Sequence, residues 1–296
     1  MTLVNDVLLG RLARRRLWSR WASPTSPDGE RRGTLAGSGM EFADHREYHA
    51  GDDLRHLDAH AYARLGRPYV KLFAADRGLD IAVLVDASAS MDYGSPAKLQ
   101  VASELATAIA YVGIAAGDRV RLGAFGTDNA LRWRPVVTST NGVRTLVKGL
   151  DRPLPATGNE PDLRSVALAS NAALTSTGLT IVLSDWWASS DPESTVRAFA
   201  STGRELVAIQ VLAPEEEEPH LLTTGPTRLV DSELADSIDL SLDETTEAAY
   251  LRAFNSWRQR FQNSVEGVRG RVLTVRTDQV LANVVLDDWR KAGFIR

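Results

Sequence analysis

The sequence contains no cysteine and only three methionines in 296 residues. Without a thiol there is no disulfide, no cysteine nucleophile, no iron–sulfur cluster and no cysteine-ligated zinc. Nor is there an excess of basic charge. Lys and Arg number 34 against 38 Asp and Glu, a formal net charge of −4, which argues against a nucleic-acid binder held by bulk positive charge. No run approaches the roughly 18 consecutive apolar residues of a membrane span. The opening MTLVNDVLLG lacks the basic start, long apolar stretch and small-residue cleavage site of a secretory signal. These absences lead to the expectation of a soluble, cytoplasmic protein. What is present is globular in character: 44% apolar and 24% charged residues, with 22 Gly and 12 Pro. That excludes a disordered chain, a collagen-like fibre and a coiled-coil rod. The length fits one large domain or two modest ones, at roughly 100–200 residues each.

Charge is unevenly spread. Arg11, Arg14, Arg15, Arg16, Arg20, Arg31 and Arg32 cluster around Trp18 and Trp21, so residues 1–32 form a basic N-terminal arm. Leu8 to Trp21 is expected as a basic amphipathic helix, either packing its Leu and Trp side chains on the domain or touching a membrane surface, RNA or an acidic partner. Residues 33–78 are polar and Gly-punctuated, and are expected as an irregular block packed on the core. From Asp80 the pattern changes. Asp80 to Asp86, Leu179 to Leu183 and Glu205 to Leu212 are short apolar runs suited to strands buried on both faces. Arg119 to Phe125 alternates as a strand, and Leu131 to Val137 is placed beside it as an antiparallel edge. Lys98 to Ala116 places Leu99, Ala102, Leu105, Ile109 and Val112 at helical spacing. Helices are also expected over about 141–150, 163–174, 192–202, 244–265 and 278–292, a last strand over 271–275, and a small β insertion at about 214–243. Alternating strands and helices predict an α/β fold over 79–296 with a doubly wound, mainly parallel sheet. Ligands in such folds sit beyond the carboxyl ends of the strands, where Asp86 and Asp185 are placed.

The loop after Asp86 reads Asp86-Ala87-Ser88-Ala89-Ser90, with Met91-Asp92 behind it. One carboxylate and two hydroxyls at alternating positions offer only oxygen, which suits a hard cation such as Mg²⁺. Hydroxyls are weak ligands, so the site leaves a coordination position for a partner's carboxylate. Asp185, in Ser184-Asp185-Trp186-Trp187, is placed to complete the set directly or through water. The competing reading has Asp and Ser merely capping backbone N–H groups of a helix start. Trp186 and Trp187 are candidates either for the core or for partner anchors at the rim, and the rim is expected for one of the two.

This loop, in its strand–loop–helix context, resembles the metal-ion-dependent adhesion site of von Willebrand factor A-type domains. Upstream stand Gly39-Met40-Glu41-Phe42, Arg46-Glu47-Tyr48, Gly51-Asp52-Asp53-Leu54-Arg55, Asp58, Ala63-Arg64 and Val70-Lys71, and downstream Gly117-Asp118-Arg119-Val120, Tyr250, Trp257, Leu273, Thr277 and Gly293. Together these resemble the bacterial family known as domain of unknown function 58, over about residues 33–296. The resemblance implies a von Willebrand factor A-like core and no enzymatic activity. It also implies partnership with a MoxR-type AAA+ ATPase and a client protein in complex assembly or maturation. Two departures stand out. Asp58-Ala59 replaces the family's usual Asp-Trp pair. Pro161, in Gly158-Asn159-Glu160-Pro161-Asp162-Leu163, stands where A-type sites take a third ligand, usually Thr, so Glu160, Asp162 or Thr157 would have to substitute.

Other features weigh less. His45 with His49, and His56 with His60, have the spacing of a helical zinc pair, but their windows are not amphipathic and Arg46 and Arg55 oppose a cation. Arg46, Asp52, Asp53, Arg55 and Asp58 are expected to form ion pairs tying the block down, the first four also offering a partner surface. Glu215 to Glu218 is expected as a solvated loop. The alternative function is a Mg²⁺-dependent hydrolase or phosphatase with Asp86 as nucleophile. The acid/base carboxylate such enzymes carry two residues on is here Ser88, and no phosphate-binding Gly-rich loop accompanies it.

Overall fold

The computed structural model describes residues 5–20, 41–49, 57–74, 78–126, 128–137, 139–148, 152–154, 161–174, 177–187, 191–222, 225–234 and 236–296. The chain divides into a larger unit, Met1–Trp21 with Leu79–Arg296, and a smaller one, Ala22–Gly78. In the larger unit α1 (Asp6–Leu12) begins where Asn5 Oδ1 accepts the Leu8 N–H at 2.9 Å. It is shorter than the helix expected to Trp21. Beyond Ala13 the backbone pairs with the C-terminus instead: Arg16 N–H donates to Arg296 O, Trp18 N–H to Phe294 O, and Leu17 bridges Ile295. Leu8, Leu9, Leu12 and Leu17 are buried, and Arg271 and Arg296 stack on the Trp18 ring. This part of the arm is docked on the domain. Trp21, Arg31 and Arg32 lie outside the described residues.

The smaller unit is more regular than its sequence suggests. Here β1 (Glu41–Glu47), α2 (Ala59–Leu65) and β2 (Tyr69–Ala74) follow in order, and β1 and β2 pair antiparallel. Asp58 is spent as the cap of α2, accepting from His60 N–H and Ala61 N–H, and Gly66 ends the helix in the left-handed region at φ 67°. The pairing joins residues 22 to 33 apart, so it leaves little trace in local periodicity. Arg46 lies on β1 opposite Val70, and Asp52, Asp53 and Arg55 lie outside the described residues. His45 is on β1 and His49 just beyond it, so the helical geometry needed for that zinc pair is absent.

The larger unit continues with β3 (Asp80–Asp86), α3 (Lys98–Ala115), β4 (Arg119–Phe125), β5 (Arg132–Trp133), α4 (Val143–Val147), α5 (Leu163–Ala173), β6 (Leu179–Ser184), α6 (Pro192–Ala200) and β7 (Glu205–Leu212). Then come α7 (Pro214–Glu217), β8 (Gly225–Val230), β9 (Ser237–Leu242), α8 (Glu244–Gly267), β10 (Arg271–Arg276), α9 (Leu281–Asn283) and α10 (Trp289–Lys291), the last two joined by a π-helical turn. The central sheet has the order β10-β7-β6-β3-β4-β5, parallel except for the edge strand β5. Both faces are covered. Ile81, Val83 and Val85 pack with α1, α3 and the C-terminal helices, whereas Leu84 and Val182 pack with α5, α6 and α8. The period-2 alternation of a strand sends consecutive residues to opposite layers, which is why β3, β6 and β7 are buried throughout and mostly apolar.

At the amino end of the sheet the Arg204 guanidinium is fully buried, bonded to the Asp80 carboxylate, the Thr180 hydroxyl and the carbonyls of Asp80 and Leu179. Gly178 allows this closeness. A Cβ there would sit 2.1 Å from Asp80 O. Residues 214–243 hold a helical turn followed by the antiparallel ribbon β8–β9. Among the described residues no helix is long and apolar enough to cross a membrane.

Candidate functional site

Because β3 and β6 are neighbours and parallel, their carboxyl ends meet on one side of the molecule. Asp86 and Ser184 lie next to each other there. Asp86 Oδ2 accepts from the Ser184 hydroxyl at 2.7 Å, and Asp86 Oδ1 accepts from Ser88 N–H at 3.0 Å. The loop then turns into a short 3₁₀ segment as Met91 N–H donates to Ser88 O, and buried Met91 anchors it. That turn brings the Ser88 and Ser90 hydroxyls to 3.1 Å of each other. Gly94 lets the rest of the loop press on the end of β7, since a Cβ there would meet the Ala213 Cβ at 3.2 Å.

Asp185 is at the same end but turned aside. Its Oδ2 accepts from the Lys98 ammonium at 2.8 Å and its Oδ1 from Trp187 N–H at 3.0 Å. The same ammonium reaches Glu216 Oε1 at 2.8 Å, and Glu216 Oε2 receives Ala213 N–H. Lys98 and Asp185 are both buried. Sequence reasoning missed this triad. Lys98 read as the first residue of an amphipathic helix, and the 215–218 run read as a solvated loop. Three of its four acids are instead engaged, Glu216 on Lys98, Glu217 on Arg258 and Glu218 on Arg276, while Glu215 Oε2 is buried without a hydrogen-bond partner among the described residues. No local signal marked Lys98, whose burial and partners appear only in the structure.

Electrostatics follow from this packing. Burial pushes the Asp86 carboxyl up to about 6, the Asp185 charge adding to it, against the lowering pull of its bonds to Ser88 and Ser184. Burial alone would lower Lys98, yet the Asp185 and Glu216 carboxylates more than reverse this, and the ammonium is held above its ordinary value. Two acids facing one ammonium leave one negative charge in excess, so burial raises Glu216 despite Lys98.

The raised Asp86 value has a measurable consequence. The folded state binds a proton near pH 6 that the unfolded chain binds only near 4, so the ionised side chain costs stability above pH 6 and nothing below about 4. Two pH units correspond to roughly 3 kcal/mol, less about 1 for the acceptor that Ser184 loses. Asp86→Asn is therefore expected to stabilise the fold by about 2 kcal/mol at pH 7, the gain fading toward pH 4. Urea unfolding across that range checks it, and a destabilised variant at pH 7 contradicts it.

The other expected site residues are placed as follows. Trp186 is inside rather than at the rim. Its φ of 64° turns the ring into the core, 4.8 Å from Phe261 and near Phe199. Trp187 is half-buried and stacked on Trp257 at 4.4 Å. Pro161 is buried and brings no donor. Asp162 caps α5 through Arg164 N–H and the Ser165 hydroxyl, while Thr157 and Glu160 lie outside the described residues. One further carboxylate does reach the loop, unforeseen: Glu233, between β8 and β9, accepts from Ser90 N–H at 2.8 Å.

Comparison with known proteins adds the lineage. A family model described as "Protein of unknown function DUF58" matches residues 44–260. The chain belongs to the DUF58 family. It is 30% identical over 262 residues to uncharacterized protein Rv1480 of Mycobacterium tuberculosis and to uncharacterized protein Mb1516 of Mycobacterium bovis, covering 87% of this chain and 81% of each relative. Among solved structures, this DUF58 chain aligns with conserved hypothetical protein BatB from Bacteroides thetaiotaomicron at 14% identity and TM-score 0.47, covering 73% and 99% of the two chains. It aligns with the PilB minor pilin from Streptococcus sanguinis at 12% identity and TM-score 0.35, covering 76% and 64%. Both structural likenesses are too distant to carry an argument. The DUF58 match spans the Asp86 loop, α3 and the Glu216 turn, so the parts that build the carboxyl-end site fall inside the family's own boundaries.

Proposed function

We propose that this DUF58 chain is a non-enzymatic interaction module of von Willebrand factor A-like architecture. Its Asp86–Ser88–Ser90 edge captures an acidic group on a partner protein. The partner favoured by the family resemblance is a MoxR-type AAA+ ATPase, acting with this chain on a client protein during complex assembly or maturation. The observation that carries the reading is the hydroxyl pair. Ser88 Oγ and Ser90 Oγ stand 3.1 Å apart beside a buried carboxylate. Adjacent oxygens around octahedral Mg²⁺ are separated by about 3 Å, so the donor set suits that ion. Ser88 and Ser90 would hold Mg²⁺ directly and Asp86 would support it. Asp185, engaged by Lys98, is not a free ligand. The bound ion would supply a positive charge on which a partner's carboxylate lands.

A second feature supports an acidic partner. A cavity of about 200 Å³ beside Ala87 is lined by Arg132, Arg134 and Arg152 together with Trp133, giving cationic surface next to the loop. Asp86 is 1% exposed and both its oxygens accept hydrogen bonds, which lends the alternative of a nucleophilic, phosphatase-type aspartate less support. Capture of the purified MoxR-type ATPase by the full chain tests the proposal. Capture is expected to fall at least about tenfold (about 1.4 kcal/mol) with EDTA and in a Ser88→Ala/Ser90→Ala variant that unfolds at the wild-type temperature. Capture indifferent to both overturns the metal-bridged reading.

A further inference from the structure

The ribbon β8–β9 reverses the usual pattern of burial. Val230 is 64% and Ile238 60% exposed, whereas Glu233, at the turn between the strands, is 7% exposed. A surface hairpin that leaves its apolar side chains in water and buries an acid is built around that acid. The turn has the bonds to match. Asp231 N–H closes on Asp236 O, and Asp231 Oδ1 accepts from both Glu233 N–H and Leu234 N–H, which fixes the backbone that aims Glu233 at the loop.

At the loop, Glu233 Oε1 receives Ser90 N–H. Its other oxygen, Oε2, is buried and has no hydrogen-bond partner among the described residues. A buried carboxylate oxygen left without a partner is costly. The ammonium of the site, Lys98, is already shared by Asp185 and Glu216. Glu233 thus reaches the serine loop with one oxygen and leaves the other unanswered, in a site whose expected third donor has been replaced by Pro161.

We infer that Glu233 is the remaining oxygen ligand of the Asp86–Ser88–Ser90 cation site, an internal carboxylate standing where a partner's carboxylate would land. The inference rests on the cation reading above and extends it. The insertion makes the site self-occupied, and an acidic partner has to displace the hairpin tip to engage it. A cation held by Ser88, Ser90 and Glu233 would answer the orphaned oxygen and pin the ribbon to the loop.

The test uses the full chain and Mn²⁺ alone as probe, with Glu233→Gln and Ser90→Ala compared with wild type. Glu233→Gln keeps an acceptor for Ser90 N–H and removes the buried charge, so in EDTA it is expected to be at least as stable as wild type. Titration calorimetry is expected to show Mn²⁺ affinity reduced at least tenfold in Glu233→Gln. Hydrogen exchange at residues 231–234 is expected to slow with Mn²⁺ in wild type and not in the variant. If Glu233→Gln binds Mn²⁺ as wild type does while Ser90→Ala binds it more weakly, the cation site stands and the role of Glu233 is overturned. If wild type binds no Mn²⁺, the cation reading falls and this inference falls with it.

Discussion

Lys98→Met is expected to destabilise the fold by about 3–5 kcal/mol, the range for breaking a buried ion pair from one side. The ammonium is 2% exposed and answers two carboxylates, Asp185 at 1% and Glu216 at 17% exposure. Methionine fills the volume of the stem, so the loss is electrostatic rather than a cavity. Two acids are left facing each other with no cation. The diagnostic is rescue. Adding Asp185→Asn and Glu216→Gln to Lys98→Met removes the stranded charges, and most of the lost stability is expected to return, because a buried ion pair repays little more than its own desolvation. Linkage gives a second signature. The Lys98 value is raised by its partners, so its contribution is fully present below the unfolded lysine value near 10.4 and is lost only at more alkaline pH. Urea unfolding of the three proteins at pH 7 measures the first effect. A single variant within about 1 kcal/mol of wild type would show that the triad is solvated and the account wrong.

Arg204→Met is expected to cost about 3–4 kcal/mol, slightly less, for a reason visible in the bonding. Its guanidinium ties together the amino ends of β3 and β6 by donating to Asp80 O, Leu179 O, Asp80 Oδ1 and Thr180 Oγ1. Removing it leaves two carbonyls and a hydroxyl buried without that donor. The Asp80 charge is not wholly abandoned, because Asp80 Oδ2 also holds the half-exposed Arg119. Arg204→Lys restores the charge without the planar fork, and is expected to recover about half of the loss. Chemical denaturation reads the stability, and hydrogen exchange of the first amides of β3 and β6 reads its location. Equal stability of the lysine and methionine variants would mean that charge, and not the fork, is what the sheet end uses.

These two residues show where reading along the chain succeeds and fails. β3, β6 and β7 were legible because a strand covered on both faces is mostly apolar on both, and a run of that kind carries its own signature. The Asp-x-Ser-x-Ser loop was legible because its three oxygens lie within five residues and share one turn. Lys98 and Arg204 were not. Each sits in a stretch that reads as the edge of an ordinary element, and each acquires its role from partners 87 and 124 residues away. Which of Trp186 and Trp187 faces the core stayed open for a different reason: it depends on one backbone angle, and the positive φ of Trp186 is not a property that tryptophan advertises. The segment after Ala13 shows propensity overruled, since pairing with the C-terminal strand segment satisfies the backbone there as well as a helix would.

By itself the sequence determined the alternation of strand and helix, the apolar layers of the sheet and the presence of an oxygen-rich loop at the end of β3. Those depend on periods of 2 and 3.6 residues and on a motif within one turn. Only the tertiary structure decided which charges meet: Asp185 with Lys98 rather than with the loop, Glu216 with Lys98 rather than with water, and Glu233 with Ser90 across 143 residues. A charge interacts with whatever the fold brings within a few ångströms, and burial multiplies the strength of that encounter. Local sequence sets the shape of each element, but the electrostatics of the site belong to their assembly.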